Sequence, residues 1–508
     1  MDINLSSWVD RHADFSPDKT AIHFEGKDLS YAGLAERVGR LAAVLSARLD
    51  VAHGDRVAYL GQNSPHALAM LFACARIGAI FVPLNWRLAP PEHLRMLNDS
   101  GPKVLFVEPG FQQHIEGIRD ELTIASFVAI DFSGDGWLAF ADLLDHAEPA
   151  SATASGTYGD PALICYTSGA TGLPKGVVLT QNALLFNAIN SIHMHDLTQA
   201  DRVLTTIPLF HVGGLNIQTL PALHLGATVV LQRVFDPAAT FDDVVNHDIT
   251  LTVLVPAQMQ AMAGHDKWAA ADLSSLRAVT TGSTFVPHRF IQAFHDRDVP
   301  VLQIYGATET APLAIYTTLR DAAKVGSTGK PALHCDVRLV DDDGDDIAVG
   351  QSGEILVRGP SVMQEYWHQP ETTAKALQGG WYYSGDVGHI DAEGYYYVDD
   401  RKKDMIISGG ENIYPAELEN VLADCTDVAE AAVVGRKDET WGEVAVAIVV
   451  PKQDIAIVAD DVLKLFDGTV ARYKHPKEVV FTDNLPRNAM GKILKDELRV
   501  FVEQQAAV

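Results

Sequence analysis

Cysteine is scarce in this chain. Cys74, Cys165, Cys335 and Cys425 are the four among 508 residues, they lie far apart, and they form no C-x-x-C pair. Neither a disulfide framework nor a zinc site is expected, and a reducing cytoplasm suits the chain. Positive charge is also in short supply, with 39 Lys and Arg against 66 Asp and Glu for a net charge of −27. That balance argues against nucleic acid as a partner, because counterion release needs clustered cations, and it disfavours anionic membranes. Long apolar runs are missing. The most apolar stretch, 67–82, contains Arg76, falls short of a membrane span and reads as a helix followed by a strand. Residues 1–20 lack a basic start followed by an apolar run, so no secretory signal is expected.

What is present is globular: 47% apolar and 21% charged residues suit a folded chain that is too long for one ordinary domain. Leu34, Val38, Leu41, Leu45 and Leu49 recur at helical spacing behind a capping Ser30. Val57–Leu60 reads as a buried strand, Ser64-Pro65 opens a helix, Ala79–Val82 returns as a strand, and a helix around 92–97 leads to a strand at 104–107. This alternation predicts an α/β fold with parallel sheets covered by helices. Residues 145–160, rich in Ala, Ser, Thr and Gly, read as a flexible connection. A strand at 162–166 follows, then a loop, then a helix capped by Thr180.

That loop, Tyr166 to Val177, is dense in phosphate-binding chemistry. Thr167, Ser168 and Thr171 offer hydroxyl donors, Gly169, Gly172 and Gly176 free backbone N–H groups, and Lys175 adds charge. An ordinary Gly/Ser/Thr turn is the plain alternative. A Walker loop is excluded, since Lys175 follows Pro174 and precedes Gly176. An acidic protein that handles polyanions must concentrate its cations. Candidates are Lys175, Arg401-Lys402-Lys403, the segment Arg472 to Lys477, and Lys492.

Further segments carry recognisable patterns: Tyr305-Gly306-Ala307-Thr308-Glu309-Thr310, Tyr383-Ser384-Gly385-Asp386, the charged run 399–404, Ser408 to Pro415 with Gly409 and Gly410, and Pro486 to Lys492. Alone, each has a plain reading as a cap, a solvated run or a turn. Thr281-Gly282-Ser283-Thr284 and Pro208-Leu209-Phe210-His211-Val212-Gly213-Gly214 are softer signals. An isolated His211 would be read as a satisfied core histidine, and His193 and His195 are read as surface residues. No metal cluster is expected.

In this order the segments resemble the adenylate-forming superfamily: acyl- and aryl-CoA synthetases, adenylation domains of peptide synthetases, and beetle luciferases. The chain departs from the usual pattern at Ala170 and Ser384, where relatives carry Thr, and at Ser283-Thr284, where Ala-Pro is common. The resemblance implies a large N-terminal domain, 1–400, of several subdomains with a small β-barrel, and a mobile α+β lid, 401–508. It implies ATP, Mg²⁺ and CoA as co-substrates. ATP would be held by Thr167, Ser168, Gly169, Thr171, Gly172, Lys175, Gly282, Tyr305, Thr308, Asp386, Arg401 and Lys492. Tyr305 would stack on adenine, Thr308 would reach the α-phosphate, Glu309 would take Mg²⁺, and Asp386 with Arg401 would take the ribose. Lys492 would be catalytic, with Glu309, Thr308, Lys175 and His211. Lys403 would be the hinge pivot, and Gly409 and Gly410 would line the CoA tunnel.

The activity implied is an AMP-forming carboxylic acid:CoA ligase of the cytoplasm. Its substrate would be a medium- or long-chain fatty acid or an aryl or hydroxycinnamic acid; an amino acid is disfavoured because Phe210-His211 lacks an anchoring aspartate. A homodimer is left open. The alternatives are a luciferase-like oxygenase using the same adenylate and a non-catalytic nucleotide-binding module.

Overall fold

The structure, a computed structural model, describes residues 3–148, 155–167, 174–282, 286–408, 411–438, 441–453, 455–488 and 491–506. Two large sheets carry the N-terminal part. In the first, Val301–Tyr305, Ala278–Thr281, Leu251–Val253, Arg202–Thr205, Thr228–Leu231 and Thr20–Phe24 run parallel, with short antiparallel strands at both edges. In the second, Pro161–Thr167, Ile80–Pro83, Arg56–Leu60, Val104–Val107, Ser126–Ala129 and Leu138–Ala139 run parallel. Both faces of such strands are buried, which is why they read as unbroken apolar runs. Val57 and Tyr59 enter the core shared by the two sheets, whereas Ala58 and Leu60 face a separate core on the other side.

Helices fill the shared core, and local chemistry sets where they begin. Ser30 Oγ accepts from Gly33 N–H at 3.1 Å, Ser64 Oγ from His66 N–H at 3.0 Å with Pro65 in the first turn, and Thr180 Oγ1 from Ala183 N–H at 3.1 Å. Each such cap contributes about 1 kcal/mol. The chain between the 161–167 strand and the Thr180-capped helix differs from expectation. Lys175–Thr180 is itself a strand, antiparallel to Pro161–Thr167, and it pairs on its other side with Glu365–Tyr366. The strands on either side of the glycine-rich segment therefore pair with each other, while residues 168–173 lie outside the described residues. Residues 149–154 of the expected flexible connection lie outside the described residues.

A third sheet is antiparallel. It consists of Asp336–Val340, Gly353–Arg358, Trp381–Ile390 and Leu377–Gln378, with Tyr396–Arg401 added on Trp381–Ile390. The charged run is not a plain loop: Asp399, Asp400 and Arg401 complete the strand Tyr396–Arg401, and the chain turns after Arg401 with Lys402 N–H donating to Gly385 O at 2.8 Å.

The last sheet is centred on Gly442–Pro451 and alternates between two cores. Ala445, Ala447 and Val449 face the helices Pro415–Ala423 and Ala459–Lys464, whereas Val446 and Ile448 face Leu498 and Val502 of Lys495–Ala506. All four cysteines are unpaired. Among the described residues, no helix is long and apolar enough to cross a membrane.

Candidate active site

Strand pairing builds the centre of the site. Asp386 on Trp381–Ile390 lies directly opposite Arg401 on Tyr396–Arg401, and opposed residues share a face. Arg401 Nε stands 2.7 Å from Asp386 Oδ1, and Tyr305 Oη donates to Asp386 Oδ2 at 2.8 Å. Ser384, two residues earlier, donates to Ile355 O at 2.6 Å and accepts from Asp386 N–H at 3.0 Å. Asp386 is 6% exposed. Burial pushes its pKa up against the opposing pull of Arg401 and Tyr305, and burial likewise raises the Tyr305 phenol. The Asp386 carboxylate in turn raises the pKa of Arg401, so the guanidinium is a fixed cation.

The C-terminal segment delivers a lysine to the same cleft. Asn488 N–H donates to Lys492 O, and Lys492 N–H donates to Asn488 Oδ1, both at 2.9 Å. Gly491 completes this turn at φ +81°, a left-handed conformation that favours glycine. The Lys492 side chain is open to solvent yet crowded by protein. Desolvation lowers its pKa, the charge of Arg401 lowers it further, and Asp386 and Asp404 oppose this. Lys403, the expected pivot, pairs with Asp496 at 2.9 Å, and Asp404 pairs with Arg499 at 2.6 Å. Lys495 stands 2.8 Å from Glu419 and 3.8 Å from Asp400. The turn after Arg401 is thus tied to the final helix by charge pairs.

A second constellation surrounds Glu309, in the one-turn helix Thr308–Thr310 after the strand Val301–Tyr305. Thr308 is buried, and Thr310 Oγ1 accepts from Ala307 N–H at 2.9 Å. Tyr366 Oη donates to Glu309 Oε1 at 2.7 Å, while Oε2 has no partner among the described residues. Burial and the Glu309 carboxylate push the Tyr366 phenol up. Lys175 Nζ lies 5.0 Å from the centre of the Tyr366 ring. Tyr366 was not anticipated from the sequence, because it carries no motif: the pairing of Glu365–Tyr366 with Lys175–Thr180 puts it there. Thr167 is the cross-strand neighbour of Lys175, and its hydroxyl donates to Lys175 O at 3.4 Å. Ser168, Gly169, Thr171 and Gly172 lie outside the described residues, as do Gly409 and Gly410. Gly282 has a packing reason of its own: a Cβ there would meet Ile304 Cγ1 at 2.5 Å and Ile304 O at 2.7 Å.

His211 precedes the short helix Val212–Gly214, and its Nδ1 accepts from Gly213 N–H at 3.0 Å. Burial lowers its pKa to about 4, so the ring is neutral near pH 7. The following segment, Leu215–Thr219, is a π-helix, a form frequent at functional sites. It is unusually polar for a buried element. Asn216 and Gln218 are each 1% exposed, and neither amide atom of Asn216 nor Oε1 of Gln218 has a partner among the described residues. Gln218 contacts Thr280, whose hydroxyl contacts His195 Nε2 at 2.8 Å. His195 is therefore no surface residue. It is fully buried, with Ser191 and Thr280 satisfying its ring. Gly213, Gly214, Gln218, Thr219 and Val253 line a narrow void with about 10 Å³ for the centre of a water. A wider groove of about 490 Å³, bounded by Lys464, Asp467, Arg472 and His475, contains none of these residues.

Two family models match the chain: AMP-binding enzyme over residues 9–367 and AMP-binding enzyme C-terminal domain over residues 417–492. The chain is 56% identical over 505 residues to the indoleacetate–CoA ligase of Aromatoleum aromaticum, covering 99% of both chains. It is 45% identical to a feruloyl-CoA synthase of Amycolatopsis, covering 97% of this chain and 98% of that one. Among solved structures it matches the o-succinylbenzoate CoA synthetase of Bacillus subtilis bound to its acyl-adenylate intermediate, with TM-score 0.87, 31% identity and 98% of both chains covered. That synthetase is also known with ATP and magnesium ion bound. The chain belongs to the AMP-binding enzyme family and, within it, to the AMP-forming acid–CoA ligases.

Proposed function

We propose that this ligase joins an aromatic carboxylic acid to CoA through an aryl-acyl adenylate made at the Asp386–Arg401–Lys492 cleft. One observation carries the reading: a buried carboxylate held by Tyr305 and Arg401 lies within electrostatic range of a lysine from the C-terminal segment. In the first half-reaction a carboxylate oxygen of the acid attacks the α-phosphorus of ATP, and pyrophosphate leaves with the electrons of the broken P–O bond. Asp386 uses two of its acceptor sites on Tyr305 and Arg401, and a carboxylate has about four. The remaining sites suit the two ribose hydroxyls. Tyr305 would flank the adenine with Gly282, Thr308 would donate to the α-phosphate, and Lys492 would sit between that phosphate and the acid.

Lys175, Thr167 and the loop residues Ser168, Gly169, Thr171 and Gly172 would hold the departing pyrophosphate end. Glu309 fits Mg²⁺: it offers an unpartnered carboxylate oxygen, and Mg²⁺ in nucleotide sites is usually held by one or two carboxylates together with phosphate oxygens. The ion would neutralise charge on the phosphates.

In the second half-reaction the CoA sulfur attacks the acyl carbon, the thiol proton passes to solvent, and the acyl C–O bond breaks with its electrons leaving on the AMP oxygen. Residues 401–508 act as a lid that pivots at Lys403 against the body 1–400, bringing Gly409 and Gly410 to the pantetheine chain. His211, neutral and fixed by Gly213 N–H, would stand between the acyl pocket and that path. The aromatic reading is supported by the indoleacetate and ferulate named for two relatives and by the polar group that Gln218 brings to the void beside Gly213 and Gly214. CoA-dependent AMP release, with mass detection of each thioester, tests it over indole-3-acetate, ferulate, benzoate, 2-succinylbenzoate and C8–C16 fatty acids. Aryl thioesters are expected. Turnover of fatty acids alone would refute the aromatic reading, and failure to release AMP with any acid would refute the ligase.

A further inference from the structure

A buried chain of hydrogen bonds fixes the orientation of one amide beneath the Val212–Gly214 helix. His195 Nδ1 lies 2.8 Å from the carbonyl oxygen of Ser191, which can only accept. Nδ1 therefore carries the ring proton, and Nε2 presents a lone pair. Thr280 Oγ1, 2.8 Å from Nε2, must donate to it. Burial lowers the pKa of His195 to about 4, so this neutral tautomer holds throughout the ordinary working range. With its one hydrogen committed, Thr280 Oγ1 can only accept from Gln218, and the atom 3.2 Å away is accordingly the amide nitrogen Nε2. Gln218 Oε1 is left as a directed acceptor with no donor among the described residues, in a side chain 1% exposed. Buried acceptors without donors are rare and call for an explanation.

The place of this acceptor points to its use. Gln218 lines the void with Gly213 and Gly214, and Gly213 N–H donates to His211 Nδ1. Its anchor Thr280 lies two residues before Gly282, one strand repeat of about 7 Å. The acceptor therefore sits one step deeper than the Gly282 end of the site. With room for about one water, the void suits the polar tip of a ring and not a second ring. Asn216 lies two residues away on the π-helix and does not share Gln218's face.

We propose that Gln218 Oε1 reads a hydrogen-bond donor at the far end of the substrate, so that the preferred acid is an aromatic one bearing a ring N–H or O–H remote from its carboxylate. The inference rests on the aromatic-acid reading. A pocket built to pair a donor discriminates strongly against an analogue that lacks it, because its own polar group is then stranded.

The test compares kcat/KM for two matched pairs with the wild-type enzyme: indole-3-acetate against 1-benzofuran-3-acetate, and 4-hydroxyphenylacetate against 4-methylphenylacetate. One pair is expected to favour the donor-bearing acid by about 100-fold or more, and which pair does so tells a ring N–H from a phenolic O–H. In Gln218→Met that ratio should fall to within about 3-fold of unity by loss on the donor-bearing acid alone. Ratios near unity in both wild-type pairs would overturn the proposal, as would a wild-type ratio persisting in folded Gln218→Met. The wild-type comparison needs no variant, so a poorly folded substitution leaves it decisive. Equal turnover of all four acids would remove the role of Gln218 and leave the aromatic reading standing. Turnover of fatty acids and none of the four would remove both.

Discussion

Asp386 and Arg401 face each other across an antiparallel strand pair, with Arg401 Nε 2.7 Å from Asp386 Oδ1. The pair joins the two halves of the chain's chemistry. Asp386 belongs to the third sheet and is also held by Tyr305 from the first. Arg401 ends the last strand before the chain turns into its C-terminal part, and its charge is felt by Lys492. One carboxylate thus holds Tyr305 and Arg401 and contributes to the field around Lys492.

Replacing that carboxylate with its neutral isostere separates charge from shape. In Asp386→Asn the strand pairing persists, but the acceptors for Tyr305 and for two ribose hydroxyls weaken. Charge-assisted hydrogen bonds contribute about 1.5–3 kcal/mol each, so kcat/KM for ATP in pyrophosphate exchange should fall by about 10²-fold. The variant should stay folded, with Tm lowered by the loss of the ion pair that buried Asp386 makes with Arg401. An unchanged KM for ATP would show that Asp386 does not touch the nucleotide.

Tyr366→Phe removes one hydroxyl, the donor to Glu309 Oε1 at 2.7 Å. The carboxylate then loses its orienting partner without losing its charge. The Mg²⁺ concentration giving half-maximal adenylation should rise by about 3- to 10-fold, and the KM for CoA should stay the same. A KM for CoA that moves while the Mg²⁺ titration does not would place Tyr366 elsewhere in the mechanism.

How far these groups could be read from the sequence depended on what fixes them. Lys175, Glu309, Asp386, Arg401 and Lys492 lie in short segments whose order along the chain carries the family resemblance, and the structure gathers Asp386, Arg401 and Lys492 at one place and Glu309 and Lys175 around Tyr366. The capped helices and parallel strands were legible, because caps and apolar runs are local signals. Tyr366 was not legible, since its position follows from the pairing of Glu365–Tyr366 with the strand Lys175–Thr180, a distant piece of chain. His195 was misplaced for a related reason. It ends a helix that packs into the shared core, where polar side chains such as Asn187, Asn190 and Ser191 are also buried, so polarity gave the wrong side. The acceptor on Gln218 was invisible because it depends on a tautomer and two hydroxyl directions.

His195 also makes acid stability testable. Its pKa is about 4 in the folded protein against 6.5 unperturbed, so below pH 6.5 the unfolded chain binds a proton that the folded one refuses. Stability from this group is full above pH 6.5 and is lost as pH falls toward 4. That lowering corresponds to about 3 kcal/mol as an upper bound. His195→Gln should lower Tm at pH 7 yet flatten its decline between pH 6.5 and 4, as followed by calorimetry. An equally steep decline in the variant would assign the acid sensitivity to other groups.

In the proposed function one cleft serves two half-reactions and Lys492 acts in only the first. The direct measurement is Lys492→Ala assayed separately for pyrophosphate exchange and for thioester formation from supplied aryl-acyl adenylate and CoA. Exchange should fall by about 10³-fold, equivalent to about 4 kcal/mol of barrier, while thioester formation keeps most of its wild-type rate. An equal collapse of both half-reactions in a folded variant, or exchange that survives, would contradict the account.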